Sequence, residues 1–310
     1  MTKIKTIWQN RSAYIKAYLW PLPKFRREVV VMVDGIHTHG GITDRLRNIL
    51  SVYLYCKKKN IPFFVYYIYP CLLEKFLLPN LYDWRIRKKQ LSYSRWDTKE
   101  ISLYVDKVPE PHDSFLDEKI RPNEHQQYHI YGNCRLAKGH YRELFQELFK
   151  PSDYLAKRIA DCMSNMPEPF EAVTLRFQQL LGDFEEGEGQ YSILPYKEQQ
   201  ELISHCKEKI EKLYADSYFA TRMILVTSDS PTFLYTIKQL PFVYTIPGKM
   251  EHMDYTHNKN IEINAKPFID LLILSKAQRI TLLVTGKMYR SGFPGFAAEI
   301  GERPYQEILF

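Results

Sequence analysis

The densest chemistry in the sequence lies in one loop, Asp34-Gly35-Ile36-His37-Thr38-His39-Gly40-Gly41-Ile42-Thr43-Asp44-Arg45. Gly40 and Gly41 let a ligand approach the backbone closely. Around them His37, His39 and Asp44 are groups able to take a proton from an acceptor, and Arg45 is able to hold phosphate. The His37-x-His39 spacing also suits a metal, but a zinc site needs a third ligand, and none accompanies the pair, so no metal is expected. The plainer reading is a glycine turn in which Asp44 complements a helix N-terminus.

A second constellation is spread over the other half of the chain. Arg176 closes an apolar strand, Ser228-Asp229-Ser230 closes another, and Thr285-Gly286 leads through Arg290-Ser291-Gly292-Phe293 into the last helix. In open α/β sheets ligands sit beyond the carboxyl ends of the strands. There an arginine, a serine-rich turn and a helix start together make a cradle for a nucleotide diphosphate. The competing readings are helix capping for Asp229 and Ser291, and a structural ion pair for Arg176. Asp183, in the acidic stretch Gly182–Gly189, follows Arg176 closely and belongs to a glycine-flanked loop suited to closing over substrate.

These residues need strands and helices to position them. Arg27–Asp34 is a continuous β-branched run, a glycine turn follows, and Ile42–Lys59 carries apolar residues at helical period before a strand over Pro62–Ile68. The opening unit is therefore βαβ. From Pro70 to Pro151 the pattern predicts a helix near Leu72–Leu77, strands near Ile101–Val105 and His129–Tyr131, and a helix over Tyr141–Phe149. The second half alternates strands (Ala172–Leu175, Met223–Thr227, Phe242–Thr245, Ile280–Val284) with helices (Lys197–Ala215, Pro231–Gln239, Lys266–Lys276, Gly292–Ile300). That alternation implies a mostly parallel, doubly wound sheet. A domain boundary is expected at Lys150-Pro151-Ser152-Asp153, giving domains 1–150 and 151–310.

Bulk properties narrow the class. A chain of 310 residues with 45% apolar content and no low-complexity tract has enough material for two α/β domains. The net charge of +7 is shared among clusters at Lys24–Arg27, Lys57–Lys59 and Arg85–Lys89, which suits an anionic ligand or surface without singling out nucleic acid. Five scattered cysteines with no Cys-x-x-Cys pair argue against a disulfide framework and fit a reducing cytoplasm. The opening Met1-Thr2-Lys3-Ile4-Lys5 has no uninterrupted apolar core, and no long apolar run occurs, so neither a signal peptide nor a membrane span is expected.

The order of the motifs is more specific than any one of them. Gly40-Gly41-Ile42-Thr43-Asp44-Arg45-Leu46-Arg47-Asn48, followed by a helix and Ile61-Pro62-Phe63-Phe64, resembles the N-terminal Gly-Gly-Leu-Gly-Asn-Arg/Gln loop of the fucosyltransferase superfamily. That group includes the nodulation and core α1,6-, bacterial α1,2- and protein O-fucosyltransferases. Val173-Thr174-Leu175-Arg176 with Asp183 is similar to its His-Val-Arg-Arg-x-Asp motif, and Leu225–Ser230 to its strand ending in Ser/Thr-Asp-Asp/Ser. Arg290-Ser291-Gly292-Phe293 before Ala297-Ala298 is similar to its last segment. The resemblance covers about Asp34–Gly301 as four short anchors.

The resemblance implies an α/β fold of two facing Rossmann-like domains, the GT-B type. It further implies inverting transfer from GDP-fucose to a glycan hydroxyl without a metal or other cofactor. By position, Arg176 would hold the β-phosphate and stabilise departing GDP. Thr174, Asp183, Ser228, Asp229, Ser291, Gly292 and Phe293 would line the nucleotide side, and the Gly40-Gly41 loop with Arg45 would face sugar and acceptor, with His37, His39 and Asp44 as candidates for the base. Thr174 stands where the family has His, Phe177 where it has a second Arg, and Thr43-Asp44 where it has Gly-Asn, which leaves another sugar nucleotide open as donor.

Two other classes compete. A hydrolase or phosphatase using Asp34 or the histidines would normally show a Gly-x-Ser-x-Gly elbow or a phosphatase Cys loop, and the sequence has neither. A basic module for nucleic acid or an anionic surface predicts aromatics interleaved with basic residues, whereas the tyrosines here are spread along the chain. The stretch Lys3–Arg27 reads either as an amphipathic interfacial helix, giving peripheral contact with the inner membrane surface and a lipid-linked glycan acceptor, or as a helix packed on the first domain.

Overall fold

The computed structural model describes residues 27–104, 112–121, 126–133, 140–166, 168–184, 192–216, 223–254 and 260–310. The expectations for residues 3–26 and for the acidic run 185–189 lie outside them. Two compact units divide the chain, Met1–Lys150 and Pro151–Phe310.

In the first unit β1 (Glu28–Val33) leads through the glycine loop into α1 (Ile42–Lys59) and β2 (Phe63–Tyr67). β3 (Leu77–Pro79), β4 (Thr98–Leu103), α2 (His112–Lys119), β5 (Gln127–Gly132), α3 (Tyr141–Leu148) and β6 (Phe149–Pro151) follow. The main sheet has the order β2-β1-β5-β4 and every pairing is parallel. Val29–Val33 are buried because helices and loops cover both faces, the condition under which a strand is an unbroken apolar run. The helix expected near Leu72–Leu77 is instead a 3-10 turn, Leu73–Lys75, leading into β3. Pro70 and Pro79 bracket too few residues to repay helix nucleation.

The second unit runs α4 (Asp153–Met163), β7 (Glu171–Leu175), α5 (Tyr196–Ala215), β8 (Ile224–Ser228), α6 (Pro231–Ile237), β9 (Val243–Tyr244), α7 (Ile261–Leu274), β10 (Ile280–Val284), α8 (Phe293–Gly301) and β11 (Tyr305–Leu309). Its sheet, β11-β10-β7-β8-β9, is parallel throughout. α7 begins five residues before the expected Lys266, because Asn260 caps it by accepting from Glu262 N at 2.9 Å. Pro267 inside that helix disguises its true start. Among the described residues no helix is long and apolar enough to cross a membrane.

Each sheet reverses its strand order once. In the first, the chain goes from β1 outward to β2 and then returns on the other side through β4 and β5. In the second it goes from β7 outward to β8 and β9 and returns through β10. The loops after β1 and β5, and after β7 and β10, therefore flank the crevices where such sheets bind ligands.

Candidate functional site

The glycine loop leaves β1 at the first of these crevices and is pinned from within. Gly40 has φ +70°, and a Cβ there would stand 2.5 Å from Asp44 Oδ2, so the position needs glycine. Asp44 accepts from Gly41 N at 3.2 Å, which makes it the capping residue of α1. Arg45 is buried: its Nε donates to Gly40 O at 3.0 Å, and its Nη1 to Tyr67 Oη at 3.0 Å and Tyr69 O at 2.6 Å. Of the six residues named for acceptor chemistry, Gly40, Asp44 and Arg45 thus build the loop.

The two histidines separate by environment. His39 is 1% exposed and its Nε2 accepts from Gly35 N at 3.0 Å, so the ring is neutral with that lone pair engaged. Burial, with Arg45 and His37 nearby, pushes its pKa down to about 3. That geometry contradicts a role for His39 as proton acceptor. His37 is exposed, its Nε2 stands 3.1 Å from Glu100 Oε1, and its ring meets the edge of Tyr131 at 4.4 Å between centroids. The His37 contact holds Glu100 below the usual carboxylate range. Tyr131 in turn donates to Asp34 Oδ2 at 2.8 Å, and burial raises the Asp34 pKa.

A pH dependence of stability follows from the buried imidazoles. His129, with Nε2 2.6 Å from Gln127 Oε1, is likewise pushed down by burial, to about 4. In the unfolded chain both take up protons below an ordinary value near 6.5, and in the folded chain neither does until the pH falls much further. Their contribution is complete above that ordinary value and is lost as pH falls toward the folded values. Urea denaturation at pH 5 rather than pH 8 should show a loss of about 2 kcal/mol per histidine, and His39→Gln should flatten the curve. A pH-independent midpoint over this range would contradict the buried neutral rings.

In the second unit Asp229 is the hub. One carboxylate oxygen accepts from Phe177 N at 2.9 Å, and the other from Gln178 N at 2.7 Å and Arg176 Nε at 3.2 Å. This fixes the turn after β7 and places the guanidinium, which also lies 4.5 Å over the Phe184 ring. The Arg176 side chain is 19% exposed. Its carbonyl accepts from Tyr289 N at 3.1 Å, tethering the loop that runs from β10 toward Ser291 and α8. Arg176 and the start of α8 are thereby gathered at the switch point of this sheet.

Other expected members are spent on structure. Ser230, not Asp229, caps α6, accepting from Phe233 N at 3.1 Å. Asp183 Oδ2 accepts from Ser230 Oγ at 2.7 Å and Thr232 N at 2.8 Å, so it fastens the loop to α6. Ser228 Oγ donates to Asp229 Oδ1 at 3.3 Å and accepts from Ser230 N at 3.2 Å. Thr174 is buried within the sheet, its hydroxyl 2.9 Å from that of Thr227. Ser291 Oγ accepts from Phe293 N at 3.2 Å, while Gly292, the N-cap, brings no side-chain cap. The serine-rich turn thus offers less to a diphosphate than its composition suggests, and so does the start of α8, where the Phe293 N–H is given to Ser291 and Pro294 has none; Arg176 is the group left to meet an anion.

Glu100 and Tyr131 escaped the sequence reading. The strand expected at Ile101–Val105 starts at Thr98, which brings Glu100 into it, and parallel register sets Glu100 beside His129 of β5.

No protein-family model and no curated protein sequence matches the chain. Solved structures do. NodZ α1,6-fucosyltransferase soaked with GDP-fucose superposes with a TM-score of 0.58 at 14% identity, covering 89% of this chain and 93% of that one. The fucosyltransferase NodZ from Bradyrhizobium gives 0.58 at 14% identity, with 88% and 92% covered. A mutant of Arabidopsis thaliana FUT1 in complex with GDP gives 0.56 at 12% identity, with 96% and 74% covered. The chain has the α/β fold of the GT-B fucosyltransferases, with two parallel Rossmann-like sheets.

Proposed function

We propose that the chain is an inverting, metal-independent glycosyltransferase that transfers fucose from GDP-fucose to a hydroxyl of a glycan or lipid-linked glycan. The observation that carries this reading is the placement of the Arg176 guanidinium at the switch point of the second sheet, held by Asp229. The shared fold supports it, since NodZ has been soaked with GDP-fucose.

In this reading Pro151–Phe310 binds the nucleotide sugar and Met1–Lys150 the acceptor. The acceptor oxygen forms its bond to the anomeric carbon as the bond to GDP breaks. Arg176 meets the charge gathering on the leaving diphosphate. His37 takes the acceptor proton, and Glu100 at 3.1 Å stabilises the imidazolium that results. Asp229, Asp44, Arg45 and His39 hold these groups in place. Among the described residues Cys56, Cys71, Cys162 and Cys206 are free thiols, which suits a cytoplasmic enzyme. A second reading keeps the chemistry but changes the sugar nucleotide; it is favoured by Thr174, whose hydroxyl is turned to Thr227 at the place of the family's histidine.

Calorimetric titration with GDP, GDP-fucose, GDP-mannose, UDP and ADP, with and without EDTA, tests the proposal. The expected outcome is binding confined to guanine nucleotides and indifferent to EDTA. Preference for another nucleotide would select the second reading, and no binding to any of the five would overturn both.

A further inference from the structure

Two basic clusters of the first unit have opposite fates. In the last turn of α1, Lys57, Lys58 and Lys59 pair with Glu147 at 2.6 Å, Asp113 at 3.2 Å and Asp117 at 2.9 Å. In the second cluster Arg85 pairs with Asp83 at 2.8 Å, whereas Arg87, Lys88 and Lys89, with Arg95 beyond them, are exposed and have no carboxylate partner among the described residues. Next to them Trp96 is 73% exposed, with the Arg95 guanidinium 4.7 Å over its ring. A cationic run beside a bared indole has the composition of a surface that meets an anionic membrane interface.

The segment is rigidly held. Gln127, the first residue of β5, donates to Gln90 O at 3.1 Å and accepts from Ser92 N at 2.8 Å. Thr98, the first of β4, donates through Oγ1 to Ser92 O at 2.9 Å, and Asp97 N and Thr98 N close the next turn on Ser94 O. Both turns are thus fixed at the amino-terminal edge of the sheet, away from the carboxyl edge where the glycine loop emerges.

We propose that the segment from Arg87 to Trp96 is a docking surface for an anionic phospholipid bilayer. Arg87, Lys88, Lys89 and Arg95 meet the headgroups, and the Trp96 ring enters the interface, where an apolar body with a polar N–H is at home. Nucleic acid fits less well, because a base stacks on an aromatic face and Arg95 already covers one face of Trp96.

Flotation of the full chain with phosphatidylglycerol–phosphatidylcholine vesicles, against pure phosphatidylcholine vesicles, tests this. The chain should bind only the anionic vesicles and be released by high salt. Arg87→Glu/Lys88→Glu/Lys89→Glu should lower the partition coefficient about a hundredfold, and Trp96→Ser about tenfold. The charge-matched control Lys197→Glu/Lys212→Glu/Lys276→Glu, on exposed sites of the other unit, should change it far less. Circular dichroism melts verify that each variant is folded. Failure of the parent chain to bind, or undiminished binding by both folded patch variants, would overturn the proposal. So would a gel shift with single-stranded RNA that the triple reversal abolishes while vesicle binding persists.

Discussion

Arg176→Ala is expected to slow GDP release from GDP-fucose by about 10²- to 10³-fold while weakening GDP binding by less than about tenfold. The asymmetry is the point of the test. The β-phosphate already carries about one negative charge in the intact donor and gains another as its bond to the sugar breaks, so the guanidinium matters more in the transition state than in binding and the loss falls mainly on turnover. Arg176→Lys keeps a cation but cannot hold the Nε bond to Asp229 at 3.2 Å while lying flat over Phe184, and it should recover only part of the rate. Asp229→Asn sets an amide donor against one of the buried donors that the carboxylate now accepts from, so it should lower stability as well as turnover, the latter because the guanidinium loses its charged clamp. If Arg176→Ala releases GDP at the parent rate, the assigned role is wrong whatever nucleotide the protein binds.

How far such roles are legible in the sequence depends on whether burial or partnership decides them. Val29–Val33 and Ile280–Val284 declare themselves because a strand covered on both faces is apolar at nearly every position, Thr281 being the one polar member and hydrogen-bonded to Gln306. The glycine loop and Arg176 are visible as unusual residue types at strand ends. β11 leaves no such mark, because Tyr305–Leu309 is an edge strand with mixed exposure and no continuous apolar run. The Pro151-Ser152-Asp153 stretch that reads as a boundary is the start of α4, with Ser152 as its N-cap accepting from Leu155 N at 3.2 Å. Partnership is harder still. Composition set Asp44, Arg45, Ser228, Asp229 and Asp183 together as ligand-binding groups, and nothing in a linear string separates a carboxylate that meets a ligand from one that caps a helix. The same types serve both because an anion binds N–H groups the same way whether it comes from the chain or from a nucleotide.

The largest stability effect expected in the second unit lies in α7, where that ambiguity takes another form. Lys266 and Asp270 have the i,i+4 spacing of an exposed helical pair, yet their side chains are 4% and 1% exposed, and Lys266 Nζ stands 2.5 Å from both Asp270 oxygens. The residues around them, from Asn264 to Leu271, are buried as well, so this turn is enclosed on all sides. Lys266→Met should therefore cost about 3–5 kcal/mol in urea denaturation, because it strands a carboxylate out of water. Asp270→Leu should cost a similar amount by stranding the ammonium. Lys266→Met/Asp270→Leu should return close to the parent value or exceed it, since apolar groups of similar size need no countercharge. The pH dependence of Lys266→Met supplies an internal check. Burial already raises the Asp270 pKa, and Lys266 opposes that rise. With the lysine gone the carboxyl favours its neutral form further, so the deficit should be largest at neutral pH and shrink as acid protonates Asp270. A single-mutant cost below about 1 kcal/mol, unchanged by pH, would mean that water reaches the pair and that its burial does not govern its energetics.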